Sequence, residues 1–128
     1  MFELSSIPFV LNYVMTNLTM NNPSPENELF IDVLKVKKAA LILRAINHKL
    51  RQQIMRLIHE NEKVIVTEIY KKLHLEQSVA SQHLAILRQA GFVKTERDGK
   101  FIYYSVNYNR LKEIHYISTE LLNLFKDE

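Results

Sequence analysis

The sequence predicts a mainly α-helical fold with one small β-hairpin, and three observations lead to that prediction. Apolar residues recur at helical spacing over most of the chain after residue 24. Only 2 glycines and 3 prolines occur among 128 residues, so few tight turns are expected. The runs Phe92–Glu96 and Phe101–Val106 flank Arg97–Lys100, whose Asp98-Gly99 pair is a strong hairpin signal.

The composition narrows the class of protein. With 47% hydrophobic and 24% charged residues, the chain can bury a core of its own. Residues 1–34 hold four carboxylates and no Lys or Arg, whereas residues 35–128 hold 17 cations against 10 carboxylates, which suits a polyanionic partner. The absence of cysteine excludes disulfides and thiolate metal sites. No apolar run is long enough to cross a bilayer and no cationic signal sequence begins the chain, so a cytoplasmic protein without membrane association is expected.

Residues 1–23 are predicted to form an N-terminal extension, followed by one domain over residues 24–128. One helical face of the extension would carry Leu4, Ile7, Leu11 and Val14. The extension is therefore either a helix that adds a dimer contact or a flexible segment. The cluster Asn21–Pro25 interrupts any helix.

The first long helix of the domain is predicted to start with Ser24 as N-cap and Pro25 at the first helical position, and to run to about Ala45. Its apolar residues lie almost all round, so a partner chain is expected to supply part of their burial. Asn47 is then predicted to cap a helix from His48 to about Glu60, with these residues inward: Leu50, Ile54, Leu57 and Ile58.

The middle of the chain predicts a helix-turn-helix. The run Val64–Val66 fits either a brief strand or a helix entry, Thr67–Leu73 a short helix, and His74–Glu76 the turn. The next helix, Gln77–Ala90, has two faces and is ended by Gly91. The polar face holds Gln77, Ser78, Ser81, Gln82, Ala85, Arg88 and Gln89, and the apolar face holds Val79, Ala80, His83, Leu84, Ile86, Leu87 and Ala90.

The polar face has the chemistry of a DNA-reading surface. Glutamine can bridge two atoms on the edge of adenine, and serine can bind bases or phosphates. A helix of this kind beside a basic hairpin is typical of a winged helix-turn-helix that reads duplex DNA. The predicted contacts are Gln77, Ser78, Ser81, Gln82 and Arg88 on this recognition helix, and Lys94, Arg97 and Lys100 on the hairpin, or wing.

The last helix, capped by Asn107 and running to about Phe125, is apolar over nearly half its circumference. That is wider than one packing contact needs.

Residues 44–106 resemble the arsenical-resistance-repressor family of prokaryotic winged-helix transcription factors. The resemblance is carried by Val66-Thr67-Glu68-Ile69, by QSVASQHL from Gln77, by LRQAGFV from Leu87, by RDGK from Arg97, and by Tyr103-Tyr104. It implies a homodimeric repressor that releases operator DNA when a signal arrives. The dimer would be built on the first and last long helices, and the expected interface residues are Leu34, Leu41, Leu111, Ile114, Ile117, Leu121, Leu122 and Phe125. It also implies that Gln77, Ser78, Ser81 and Gln82 face the groove while Arg97 and Lys100 serve the wing. Glu76 departs from the serine often found at this helix start, and is a poorer N-cap.

The sequence lacks the metal-ligand patterns of the metal-sensing members of this family. No thiol occurs in Val64–Ile69, and Glu113-Ile114-His115 matches an Asp-x-His pair only loosely. The sequence therefore predicts no metal and no cofactor, and the effector is unknown. One alternative stays open: a repressor responding to metal or ligand through His115, Glu113 or Glu120, or through a pocket under the N-terminal extension.

The remaining residues favour binding over catalysis. His83 is predicted to be a half-buried core histidine, and His115 a dimer contact. With two glycines there is no phosphate-cradling loop, and no enzyme constellation appears.

The prediction is a non-enzymatic repressor that binds an inverted repeat with half-site centres about 10 bp apart. A winged-helix protein-interaction module without DNA binding is the second alternative.

Overall fold

A computed structural model of the chain describes residues 29–123, and it is mainly helical with a small sheet, as predicted. The elements in chain order are α1 (Val33–Ile46), α2 (Lys49–Asn61), β1 (Lys63–Val64), α3 (Val66–Lys72), α4 (Gln77–Gln89), β2 (Val93–Asp98), β3 (Phe101–Val106) and α5 (Tyr108–Asn123). The predicted N-terminal helix, the Ser24 cap, the domain boundary after residue 23 and the interface residue Phe125 all lie outside the described residues.

The first helix begins later than the sequence predicts. Residues 29–32 are not helical, and Asp32 is the N-cap of α1 because its Oδ1 accepts the backbone N–H of Lys35 at 3.0 Å. A short acidic side chain in extended backbone satisfies an otherwise unpaired donor at this point, so the helix starts there. The prediction of a continuous helix from Pro25 is therefore wrong over residues 29–32.

The cap of the second helix also differs from the prediction. Asn47 ends α1, and its N–H donates to the carbonyl of Leu43. His48 is the N-cap of α2, because its Nδ1 accepts the N–H groups of Leu50 and Arg51 at 3.2 and 3.4 Å. An imidazole nitrogen thus takes the part that a serine or asparagine oxygen usually plays.

The helix-turn-helix is formed by α3 and α4, which are joined by a turn at Leu73 and His74. His74 adopts a left-handed conformation with φ 55°, and the N–H of Leu75 donates to the carbonyl of Tyr70 at 2.9 Å. Histidine is one of the few residues other than glycine that occur in this region with some frequency. The turn between α3 and α4 therefore contains no glycine, the residue by which such turns are usually predicted from sequence.

The three strands form an antiparallel sheet in the order β1-β3-β2. The run Val64–Val66, which the sequence leaves open between a strand and a helix entry, contributes to both. Val64 ends β1 and Val66 begins α3. The predicted four-residue hairpin turn is wrong: Asp98 pairs with Phe101, so only Gly99 and Lys100 form the turn. Gly99 has φ 62° at the first turn position, where a two-residue turn favours glycine.

The core lies where α2, α3 and α4 pack on the sheet. Its largest fully buried side chains are Phe92, Ile54, Ile58, Ile69, Leu84, Leu87 and Val64. Burying each such side chain contributes about 1.5–3 kcal/mol, so this cluster holds α4 in place by its inner face. The inward positions predicted for α2 are confirmed at Ile54, Leu57 and Ile58, which are buried, while Leu50 is half-buried.

The two long end helices keep much of their apolar surface exposed within one chain. Only Ala45 is buried in α1, and no residue described in α5 is. Leu34 is 60% exposed, Leu41 53%, Leu121 45% and Leu122 73%. The chain itself therefore does not bury α1 on several sides. Two of the predicted interface residues, Leu111 and Ile114, pack partly against the core of their own chain. No helix within residues 29–123 is long and apolar enough to cross a membrane.

Candidate nucleic-acid interface

The recognition helix α4 shows a polar outer face and an anchored inner face. Ala80, Leu84 and Leu87 are buried in the core, and His83 is half-buried as predicted. Each predicted groove-facing side chain is exposed: Gln77, Ser78, Ser81, Gln82 and Arg88. Ile86, which the sequence places on the apolar face, is 39% exposed at the edge of the helix that faces α1.

The N-terminus of α4 has no side-chain cap. Glu76 occupies the N-cap position with an extended backbone, and its carboxylate makes no capping hydrogen bond. The backbone N–H groups of the first turn are thus left without an intrahelical or capping acceptor, at the end where the helix dipole is positive. Such donors suit a phosphate oxygen, while the carboxylate of Glu76 beside them opposes one.

The wing cations lie on different faces of the hairpin. Side chains alternate along a strand, so Arg97 is on the same sheet face as the buried Val93, which packs towards α4. Lys94 is on the opposite face and pairs with Ser105 near the base of the wing. The structure therefore brings Arg97, but not Lys94, to the side of the sheet that carries the recognition helix.

The tip of the wing presents its cations to solvent. The Nε of Arg97 donates to the carbonyl of Gly99 at 3.3 Å, which holds the guanidinium beside the turn. Lys100 occupies the turn itself, and its Nζ is 5.3 Å from the centroid of the Phe101 ring. Both side chains are exposed, so the tip places two positive charges at the end of the hairpin.

A cleft of about 390 Å³ lies between the recognition helix and the wing. Ser81, Arg88 and Gln89 of α4 line one side, and Tyr104 of β3 lines the other. Tyr104 also packs partly on the core. The cleft thus lies between the polar face of α4 and the face of the sheet on which strand alternation also places Arg97.

Arg51 is a structural residue that sequence reasoning missed. Its side chain is buried, with 7% exposed, and its Nε and Nη2 donate to the carbonyls of Ala45 and Arg44 at 2.6 and 3.2 Å. Those carbonyls belong to the last turn of α1, where helices lack internal partners and favour a cation. The spacing of Arg51 to Ile54 and Ile58 was the available signal, because it places the arginine on the apolar face of α2.

His83 of the recognition helix completes this contact. Its Nδ1 lies 3.2 Å from Nη1 of Arg51, and its ring centroid lies 4.9 Å from that of His48. Desolvation lowers the pKa of His83 below its ordinary value of 6.5, and the neighbouring His48 and Arg51 lower it further. We call Arg51, His48 and His83 the junction, because they join α1, α2 and α4.

The residues proposed for a metal site are not brought together. Within residues 29–123 no group of three His, Asp or Glu side chains is placed to hold an ion. Glu113 Oε2 instead lies 3.8 Å from Arg110 Nη1, and His115 is exposed. His59 is occupied elsewhere, with its Nδ1 2.8 Å from the hydroxyl of Tyr108.

Comparisons with known proteins identify a consistent set of similar chains. The family model described as "Bacterial regulatory protein, arsR family" matches residues 48–95. An uncharacterized HTH-type transcriptional regulator of Methanocaldococcus jannaschii is 37% identical over 68% of this chain and 98% of its own length. The transcriptional activator HlyU of Vibrio cholerae is 36% identical over 59% of this chain and 68% of its own. The crystal structure of the transcriptional repressor PagR of Bacillus anthracis superposes with a TM-score of 0.54 at 31% identity, covering 65% of this chain and 94% of that one.

Proposed function

The chain belongs to the arsR family of bacterial regulatory proteins, and from that premise we propose that it is a homodimeric repressor binding an inverted-repeat operator. As a member it is a DNA-binding transcriptional regulator with a winged helix-turn-helix fold. Members of this family are regulators rather than enzymes, which confirms the prediction that the chain is not an enzyme. The operator, the dimer and the individual contact residues are parts of the proposal.

One observation carries the proposal: the outer face of α4 is polar and exposed while its inner face is held by the core. Ala80, Leu84 and Leu87 are essentially inaccessible, so the helix is a rigid support for the residues opposite them. Those residues are amides and hydroxyls, which read base edges, and one arginine, which binds phosphate or guanine. A face that served only solubility would more often carry Glu and Lys.

In the proposed complex the N-terminal half of α4 enters the major groove. Gln77 and Gln82 read bases, while Ser78 and Ser81 contact bases or phosphates. Arg88, Arg97 and Lys100 bind the flanking backbone and supply most of the affinity. Lys94 has a lesser part, because it lies on the sheet face turned away from α4. Operator binding of this kind places the protein with the DNA in the cytoplasm.

The proposed dimer uses the apolar surfaces that α1 and α5 leave uncovered in one chain. Leu34, Leu41, Leu121 and Leu122 are all more than two-fifths exposed, which is unusual for leucines clustered on two helices. Ile117 is half-buried and lies on the same face of α5. A two-fold axis through these helices would set two recognition helices about one DNA turn apart and require an inverted repeat.

The sign of regulation is proposed from the resemblance and from relatives. PagR is named a transcriptional repressor, whereas HlyU is named a transcriptional activator. The same DNA-binding surface serves either outcome, because the position of the operator relative to the promoter decides whether polymerase is blocked. We propose repression, so deletion of the gene is expected to raise transcription from a promoter that contains the selected operator.

The experiment that tests DNA binding is selection of bound duplexes from random-sequence DNA, followed by fluorescence anisotropy at several salt concentrations. The dissociation constant is expected to rise at least about tenfold when salt is doubled from 100 mM, because cations from two subunits displace counterions. A protein-interaction module without DNA binding would enrich no sequence, and any residual binding would be the same for all duplexes.

Self-association is tested by Leu122→Glu. A carboxylate at this largely exposed position is expected to weaken dimerisation at least about tenfold, because its burial in an apolar interface costs several kcal/mol without a partner. Sedimentation equilibrium measures the dissociation constant. The matched control is Asn109→Glu, which adds the same charge to an exposed position on the other face of α5. If the two variants associate alike, α5 is not in the interface.

A further inference from the structure

We propose that the junction of Arg51, His48 and His83 makes operator binding proton-responsive: protonation of His83 releases the recognition helix from α1 and α2 and weakens DNA binding. This inference rests on the proposed function, since it concerns how the same recognition helix is positioned. Arg51 and the two histidines are positioning residues, because none belongs to the exposed face of α4.

The hydrogen bonds require both imidazoles to be neutral. A guanidinium only donates, so Nδ1 of His83 must accept from Nη1 of Arg51 and the proton of the ring must be on Nε2. Nδ1 of His48 accepts two backbone N–H groups at the start of α2, which fixes the same tautomer. Each Nδ1 that a proton would occupy is therefore already in use as an acceptor.

Protonation would turn these attractions into repulsions. A protonated Nδ1 on His83 would point a donor at a donor 3.2 Å away, beside the guanidinium cation of Arg51. The imidazolium so formed would also lie against the ring of His48, which caps α2, with ring centroids 4.9 Å apart. The free energy of both changes opposes the geometry seen here.

Among residues 29–123 no negative charge is found to act on His83. From α1, Arg44 contributes its carbonyl oxygen, and its side chain lines the same groove as Arg51. From α2 come Arg51 and His48 themselves, and the charges that act on His83 are these two. Within residues 29–123 Arg51 makes no ion pair, its partners being two carbonyls and His83. Within the described part of the chain, a proton added to His83 therefore meets no carboxylate.

The space beside the recognition helix α4 allows it to shift when the junction is lost. A groove of about 480 Å³ separates α1 from the second half of α4, with Leu41 and Ile42 on one side and Ile86 on the other. Ala80, Leu84 and Leu87 keep α4 in the core, so loss of the junction would shift the helix rather than unfold it. Base reading needs side chains held within about 0.5 Å, so a small shift is enough to weaken binding.

The test compares the wild-type chain with His83→Asn. The Oδ1 of asparagine can accept from Arg51 but does not titrate. Anisotropy measures the dissociation constant for one duplex, selected from random DNA, at pH 7.5 and 5.5 and constant ionic strength. From pH 7.5 to 5.5, wild-type affinity is expected to fall several-fold, but by less than about tenfold, relative to the variant, because one coupled proton with a midpoint below pH 6.5 allows no more. The control is His59→Asn, an exposed histidine of α2, which should follow the wild type.

Parallel pH profiles of wild type and His83→Asn would overturn the proposal while leaving DNA binding intact. Absence of selective binding by the wild type at pH 7.5 would instead overturn the proposed function. NMR of the wild type supplies a readout without any variant. The imidazole Cε1–H shift of His83 and the amide shifts of α4 are expected to move together, with a midpoint below pH 6.5. Titration of His83 without movement of the α4 amides would also overturn the proposal.

Discussion

Gln82→Ala is expected to reduce discrimination between the operator and a mismatched duplex by about 1–3 kcal/mol per half-site, or roughly 5- to 150-fold, which is the range for one bidentate base contact. Gln82 is exposed on α4 one residue after Ser81, while the apolar side of the helix is buried. Truncation of the amide removes base reading and leaves the anchoring of the helix unchanged. The measurement is competition anisotropy with the selected duplex and single-base variants at the same salt concentration.

The matched comparison is Lys100→Ala at the tip of the wing. Lys100 is exposed in the hairpin turn and its amine is a point charge, so it suits a phosphate rather than a base pattern. Its removal is expected to weaken every duplex by a similar factor and to lower the salt slope by about one per subunit. Equal effects of the two substitutions on discrimination would contradict the division between the base-reading helix and the backbone-binding wing.

Arg51→Met is expected to lower the free energy of unfolding by about 2–4 kcal/mol, because hydrogen bonds from a charged donor contribute about 1.5–3 kcal/mol each. Methionine keeps an unbranched apolar stem but donates nothing to the carbonyls of Ala45 and Arg44. Those acceptors end α1, and Ala45 is buried, so water does not readily replace the lost donor. Urea denaturation followed by far-ultraviolet circular dichroism measures the change.

The control is Arg56→Met, which removes an exposed arginine from the same helix. It is expected to change the free energy of unfolding by no more than about 0.5 kcal/mol, as exposed sites usually do. If Arg51→Met were equally mild, the guanidinium would not be what joins α1 to α2. The proton-responsive junction would then lose its anchor as well.

The helix boundaries show where sequence patterns are weakest. Asn47 and His48 are adjacent, and both can end or begin a helix, so residue preference favours asparagine as the cap of α2. The histidine takes that place because its ring also meets His83, which is 35 positions away in sequence. At the wing, the Asp-Gly pair predicts a hairpin, but the register is decided by pairing along the strands, and this places Asp98 opposite Phe101.

The candidate site also has features that the sequence predicts and others that only the folded chain decides. The outer face of α4 follows from periodicity alone, because every predicted groove-facing residue there is exposed. On the apolar face of α4, Ile86 is exposed although periodicity groups it with buried residues. Exposure at the edge of a helix depends on how closely a neighbouring helix, here α1, approaches it. Lys94 likewise counts as a wing cation in the sequence, and only the register of β2 against β3 turns it away from α4.

The amino-acid order by itself determined the number and kind of most elements, the two-faced recognition helix and the basic wing, because these depend on spacing within one segment. The folded chain alone decided that Arg51 is buried, that it caps α1, and that two histidines from different helices face it. Such contacts join residues far apart in sequence. They arise from how the helices pack and from the requirement that every buried donor and acceptor find a partner, and no local pattern encodes either.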